Sequence, residues 1–238
     1  MSRISKTLVV SLLTATSALA QSGYGKNLSF AGYTWQVKYS TSKVGPGPNY
    51  FSENNVWVDT TTDPAHPTLH LKIAKSGSQW TCAELVLQNT LGYGTYSFDV
   101  ASPLDNLDPN LVLGLFTWND AADYNHRELD IEFAKWGRTN NKNGWYTVQP
   151  PSSSTQYSFV QPSNTPESVH TLKWFSATSL TAQFTSFKNG VAYADHLFTA
   201  GIPPSGGENV RMNLWLYQGK APKSGVEIVI KDFHFTPQ

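Results

Sequence analysis

Cysteine is nearly missing from this 238-residue chain: Cys82 stands alone, so neither an intramolecular disulfide nor a cysteine-based zinc cluster can form, and stability must come from the core. Charge is scarce too, at 14% of residues, with Lys+Arg and Asp+Glu both 17 and no basic stripe. That balance excludes a binder of nucleic acid that works by neutralising phosphates. No stretch of helical period runs long, and no apolar run approaches the roughly 20 residues that span a bilayer. The histidines His66, His70, His170, His196 and His234 lie on separate segments without the HExxH spacing of a zinc enzyme. What the chain does have is 14 prolines, 17 glycines and 8 tryptophans, the composition of a folded, turn-rich, aromatic-rich domain.

Residues 1–20 place Arg3 and Lys6 before the apolar run Leu8 to Leu13 and end on Ala18-Leu19-Ala20. A basic start, a short apolar stretch and small residues around a cleavage point are the marks of a secretory leader. Export is therefore expected, with residues 21–238 as one mature domain, not held in a membrane. Cleavage removes two basic residues and no acidic one, which leaves 15 basic against 17 acidic groups and a net charge of −2.

From Tyr33 onward, short runs rich in Val, Ile, Thr, Phe, Tyr and Trp alternate with Gly, Pro, Asn, Asp and Ser clusters. Strands are expected over 55–59, 69–75, 83–88, 94–100, 112–118, 128–133, 146–149, 168–175, 179–188, 208–217 and 226–235. Lys188-Asn189-Gly190-Val191 reads as a hairpin, because Asn-Gly supplies the positive φ angles of a type I′ turn. An all-β, two-sheet sandwich follows.

The most informative segment is Glu128-Leu129-Asp130-Ile131-Glu132-Phe133. On a strand Leu129, Ile131 and Phe133 point one way and Glu128, Asp130 and Glu132 the other. A solvent-facing sheet surface and a reactive site both fit that pattern, although a row of like charges on a strand costs energy that scattered polar residues avoid. Glu128 and Glu132 would have Cα atoms at most about 13 Å apart. Two side chains each reaching roughly 4 Å and leaning together leave about 5 Å between carboxyls. A retaining glycosidase needs about 5–5.5 Å between its two carboxyl groups.

This segment resembles the catalytic strand of glycoside hydrolase family 16, which writes Glu-x-Asp-x-Glu in its unbulged, lichenase-like form. The resemblance extends to Ala83-Glu84-Leu85, Gly92 to Phe98, Leu115 to Trp118, His170 to Trp174 and Arg211-Met212-Asn213-Leu214-Trp215. It implies a jelly-roll β-sandwich of two antiparallel sheets with a concave glycan-binding cleft. It also implies Glu128 as nucleophile, Asp130 as assisting carboxylate and Glu132 as general acid/base. Glu84, Tyr93, Trp118, Trp136, Asn213 and Trp215 would bind substrate, with Tyr217 and His126 as further candidates, since aromatic faces suit the C–H faces of sugars. No cofactor is required, and the one metal the resemblance allows is a structural calcium held in part by Asp232. The chain departs from the lichenase pattern at His126-Arg127 and at Val86, which leaves the linkage open.

The expectation is a secreted, monomeric, endo-acting retaining hydrolase whose partner is a polysaccharide, a β-1,3 or mixed-linkage β-1,3-1,4 glucan. A transglycosylase using the same carboxylates and a non-catalytic, lectin-like glycan binder on the same sandwich are the alternatives.

Overall fold

The alternation of apolar and polar side chains becomes paired strands throughout the computed structural model, which describes residues 22–238. The expected leader, residues 1–20, lies outside the described residues. In chain order the strands are β1 (Ser22–Phe30), β2 (Tyr33–Ser40), β3 (Tyr50–Phe51), β4 (Val56–Asp59), β5 (Thr68–Ser76), β6 (Gln79–Leu87), β7 (Gly94–Val100) and β8 (Leu111–Trp118). They continue with β9 (Leu129–Ala134), β10 (Gly144–Val148), β11 (Gln156–Phe159), β12 (Ser168–Ser176), β13 (Leu180–Lys188), β14 (Val191–Phe198), β15 (Asn209–Leu216) and β16 (Val226–Pro237).

One sheet runs β11-β10-β9-β8-β15-β6-β2-β1 and the other β14-β13-β12-β7-β16-β5-β4, antiparallel throughout. The β5–β6 hairpin passes from one to the other, and β3 adds to β6 in parallel. This is the expected jelly-roll sandwich. Its core lies between the sheets, where Leu129, Ile131 and Phe133 of β9 are buried together with Trp35, Tyr96, Trp174 and Phe184. Burying each such apolar side chain contributes about 1.5–3 kcal/mol, enough to hold β9 in the register that turns its even-numbered residues outward. The β13–β14 hairpin forms as expected, with Asn189 and Gly190 at φ of 52° and 75°.

The strands that the sequence pattern did not single out are β1, β2, β3, β11 and β14. Of these, β1, β11 and β14 lie at sheet edges, and β1 and β14 bury few of their side chains, so apolar alternation is weak in them. One boundary also moves. Glu128 precedes β9 rather than opening it, because its N–H turns back to Asn125 O (3.3 Å). Its backbone stays extended, at φ −86° and ψ 122°, so its side chain still joins the row that follows.

Candidate active site

Register across the first sheet builds the site in rows. Glu132 on β9 faces Gly114 on β8, which faces Asn213 on β15, which faces Glu84 on β6. The next row runs Asp130, Phe116, Arg211, Val86. On the outer face these rows floor a cavity of about 840 Å³ that extends from Gln156 on β11 to Ser22 on β1. Gly114 is needed here, since a Cβ at that position would come within 2.5 Å of Asn213 Oδ1.

All three carboxylates line this cavity. Asp130 is 3% exposed, and Glu128 and Glu132 are half-buried. Gln149 Nε2 donates to Asp130 Oδ2 at 2.8 Å, and Asp130 shares a further hydrogen bond with Glu128. Burial raises the pKa of all three, and for Glu128 and Glu132 the neighbouring carboxylates raise it further. Like charges this close cannot all ionise, so the row retains a proton at neutral pH. Asp130, bonded on both sides, is placed to share it with Glu128. Acting against the repulsion on Glu128 is the positive charge of Arg211.

The backbone entering Glu128 is unusual. Tyr124, Asn125, His126 and Arg127 all have left-handed φ, between 51° and 62°. Such a turn costs L-residues roughly 1–2 kcal/mol each. Several contacts hold it: Arg127 donates Nε–H to Pro204 O (3.1 Å) and lies 4.9 Å over the Tyr124 ring, Thr117 Oγ1 donates to Arg127 O (2.8 Å), and Asn119 N donates to His126 O (2.6 Å). The turn stacks His126 on Trp118 at 3.9 Å with 8° between the rings. His126 thus supports the wall that Trp118 presents to the cavity.

Of the other expected contacts, Glu84, Trp118, Trp136, Asn213 and Trp215 line the same cavity. Glu84 is not free for sugar hydroxyls, because Lys38 binds both its oxygens (3.1 and 3.0 Å) and Tyr24 donates to Oε1 (3.1 Å). Trp136 is flanked by Trp145, Trp215 and Tyr217, with ring centroids 6.3, 6.2 and 5.5 Å away. Tyr217 therefore backs the aromatic wall. Tyr93 is placed elsewhere: its ring packs edge-on against buried Trp174 and its hydroxyl accepts the Ser205 N–H (3.0 Å), which braces the 203–207 loop. Gly92 and Tyr93 lead directly into β7 of the opposite sheet, which explains the displacement.

Asp232 sits on β16 of the opposite sheet, paired with Asp99, and its Oδ1 accepts the Phe233 N–H (2.9 Å). Among the described residues no three His, Cys, Asp or Glu side chains gather as a metal-binding group.

Sequence reasoning missed Arg211, Tyr24, Lys38, Asp120, Phe116 and Gln149, all in the cavity lining. Arg211 was within reach, since it stands two and four residues before Asn213 and Trp215 and so shares their face. Tyr24 and Lys38 come from β1 and β2 and carried no comparable signal.

No protein-family model and no curated protein matches this chain. Among solved structures it is similar to a Bacillus licheniformis β-glucanase, at TM-score 0.64 and 18% identity over 92% of this chain and 99% of that one. A prokaryotic β-1,3-1,4-glucanase (lichenase) derived from a mouse hindgut metagenome aligns at TM-score 0.61 and 17% identity, covering 86% and 93%. A glycoside hydrolase family 16 endo-glucanase from Bacteroides ovatus aligns at TM-score 0.59 and 12% identity, covering 85% and 94%. At these identities the likeness establishes a shared fold.

Proposed function

We propose that this chain is a retaining glycoside hydrolase that cleaves internal β-glycosidic bonds of a neutral β-glucan. The observation that carries the reading is the row Glu128, Asp130, Glu132 on the floor of an aromatic-walled cleft, with burial and mutual charge raising its pKa values. A surface strand would gain nothing from that arrangement. The similar structures named as β-glucanases support the substrate class.

In the first step Glu132 gives its proton to the glycosidic oxygen while a carboxylate oxygen of Glu128 bonds to the anomeric carbon, so the leaving chain departs as an alcohol. Asp130 takes up the proton that Glu128 cannot keep while it attacks. In the second step Glu132 removes a proton from water, the water oxygen bonds to the anomeric carbon, and the ester to Glu128 breaks. Two inversions give net retention. Endo action is supported by the cleft's extent: it crosses the sheet from β11 to β1, roughly 30 Å at about 4.8 Å per strand, and holds several sugar units. Secretion through residues 1–20 and a monomeric mature chain complete the proposal.

The test is product release from β-1,3-glucan, mixed-linkage β-glucan and xyloglucan, with the anomeric form of the first product read by proton NMR. Glu128→Gln and Glu132→Gln should each lower kcat by about 10³-fold or more while both variants stay folded and bind glycan. Full activity in either variant refutes the assignment. Tight binding without cleavage by the wild type would favour a lectin instead.

A further inference from the structure

Arg211 is the group in the cleft whose role the two-glutamate chemistry leaves unexplained. It is 6% exposed, on the floor of the cavity, in the same cross-strand row as Phe116 and Asp130. A buried guanidinium is costly unless paired. Its Nη1 donates to Tyr24 Oη (2.8 Å), its Nη2 donates to Asp120 Oδ1 (2.8 Å), and Glu84 Oε1 lies 3.8 Å away. Nε has no partner among the described residues. Glu84 is already neutralised by Lys38, and the Asp120 side chain is 81% exposed, where water screens its charge. The Arg211 charge is therefore only partly quenched by its own partners. It lies 5.8 Å from the centre of the Trp118 ring, the wall beside Glu128.

Asp120 is also bound by Trp118 Nε1 (3.1 Å), and it opens the loop that passes through the left-handed turn into Glu128. Thus one side chain touches both the electrostatics and the backbone approach of the expected nucleophile. Building on the hydrolase reading, we infer that Arg211 is a positioning residue for Glu128: it anchors the approach loop through Asp120 and supplies the positive charge facing the acidic row. Charged and titratable groups line the same cavity from the neighbouring elements: Tyr24 from β1, Lys38 from β2, Glu84 from β6, Asp120 from the β8–β9 loop, and Glu128, Asp130 and Glu132 at β9, while His126 of that loop stacks on Trp118. Lys38 is committed to Glu84 and to Gly45 O, which leaves Arg211 as the cation that lowers the Glu128 pKa.

The experiment compares wild type, Arg211→Met and Arg211→Lys by carboxyl ¹³C NMR titration, with the Glu128 signal assigned from Glu128→Gln. Arg211→Met should raise the Glu128 midpoint by about one pH unit, and Arg211→Lys should restore most of that shift. If Arg211→Met does not fold, Arg211→Gln, which is neutral and keeps one polar amide on the cleft floor, is read in its place. An unmoved midpoint in a folded neutral variant overturns the inference. The acid limb of kcat/KM should move with the NMR midpoint. A wild type silent on every glucan would sink the hydrolase reading, whereas the titration would still decide the role of Arg211.

Discussion

Replacing Asp130 by Asn removes the charge between the two glutamates and tests how the acidic row divides its labour. Residues two apart on one strand face stand about 7 Å apart. At an effective dielectric of about 20, a unit charge at that distance is worth roughly 2.4 kcal/mol, or about 1.5–2 pH units on each neighbour. Asp130 is among the causes that raise both Glu128 and Glu132. Its loss should therefore shift both limbs of the kcat/KM profile toward lower pH. On the proposed mechanism the alkaline limb marks loss of the proton that Glu132 would donate, and it should fall by about that amount, so activity at pH 7 drops more than activity at pH 5. The assay is initial-rate hydrolysis of the best glucan across pH, with circular dichroism to confirm the fold. Gln149 can keep its hydrogen bond, since the Oδ1 of the new Asn side chain accepts from Gln149 Nε2 as Asp130 Oδ2 does. Limbs that stay where the wild type has them, in a folded variant, would refute the electrostatic account.

His170 is buried between Ser168 and Ser186, at 2.9 and 2.8 Å, and burial lowers its pKa to about 3. A depressed folded-state pKa means that the unfolded chain takes up the proton first, so stability present above pH ~6.5 is lost as pH falls toward 3. Urea unfolding of wild type against His170→Gln should show that slope only in the wild type, since the carboxylates cancel in the difference; parallel curves would contradict it. Gly114→Ala should push Asn213 off its present rotamer, raise KM and destabilise the fold by about 1–3 kcal/mol, read by kinetics and thermal melting. An unchanged KM would mean that Asn213 does not contact substrate in this orientation.

Much of the fold was legible because it rests on local periodicity. Phe133, Ile131 and Leu129 alternate with acids in the sequence and are buried between the sheets in the structure, and Asn189-Gly190 closes its hairpin as that dipeptide requires. The carboxylate row was legible for the same reason. Edge strands were not, because a strand such as β14 that buries little writes little pattern. Tyr93 shows the opposite failure, where an aromatic in a suggestive run turned toward the Trp174 side of the sandwich.

The sequence by itself determined which side chains face outward along each strand, because a period of two is a property of the chain and needs no partner. Only the tertiary structure decided what stands beside them. Arg211 meets Tyr24 across 187 positions and Asp120 across 91, and Glu84 meets Lys38 across 46. Those meetings depend on strand order and register, which are chosen by burial of the whole core, so the charges that tune the acidic row could not be read from the row itself.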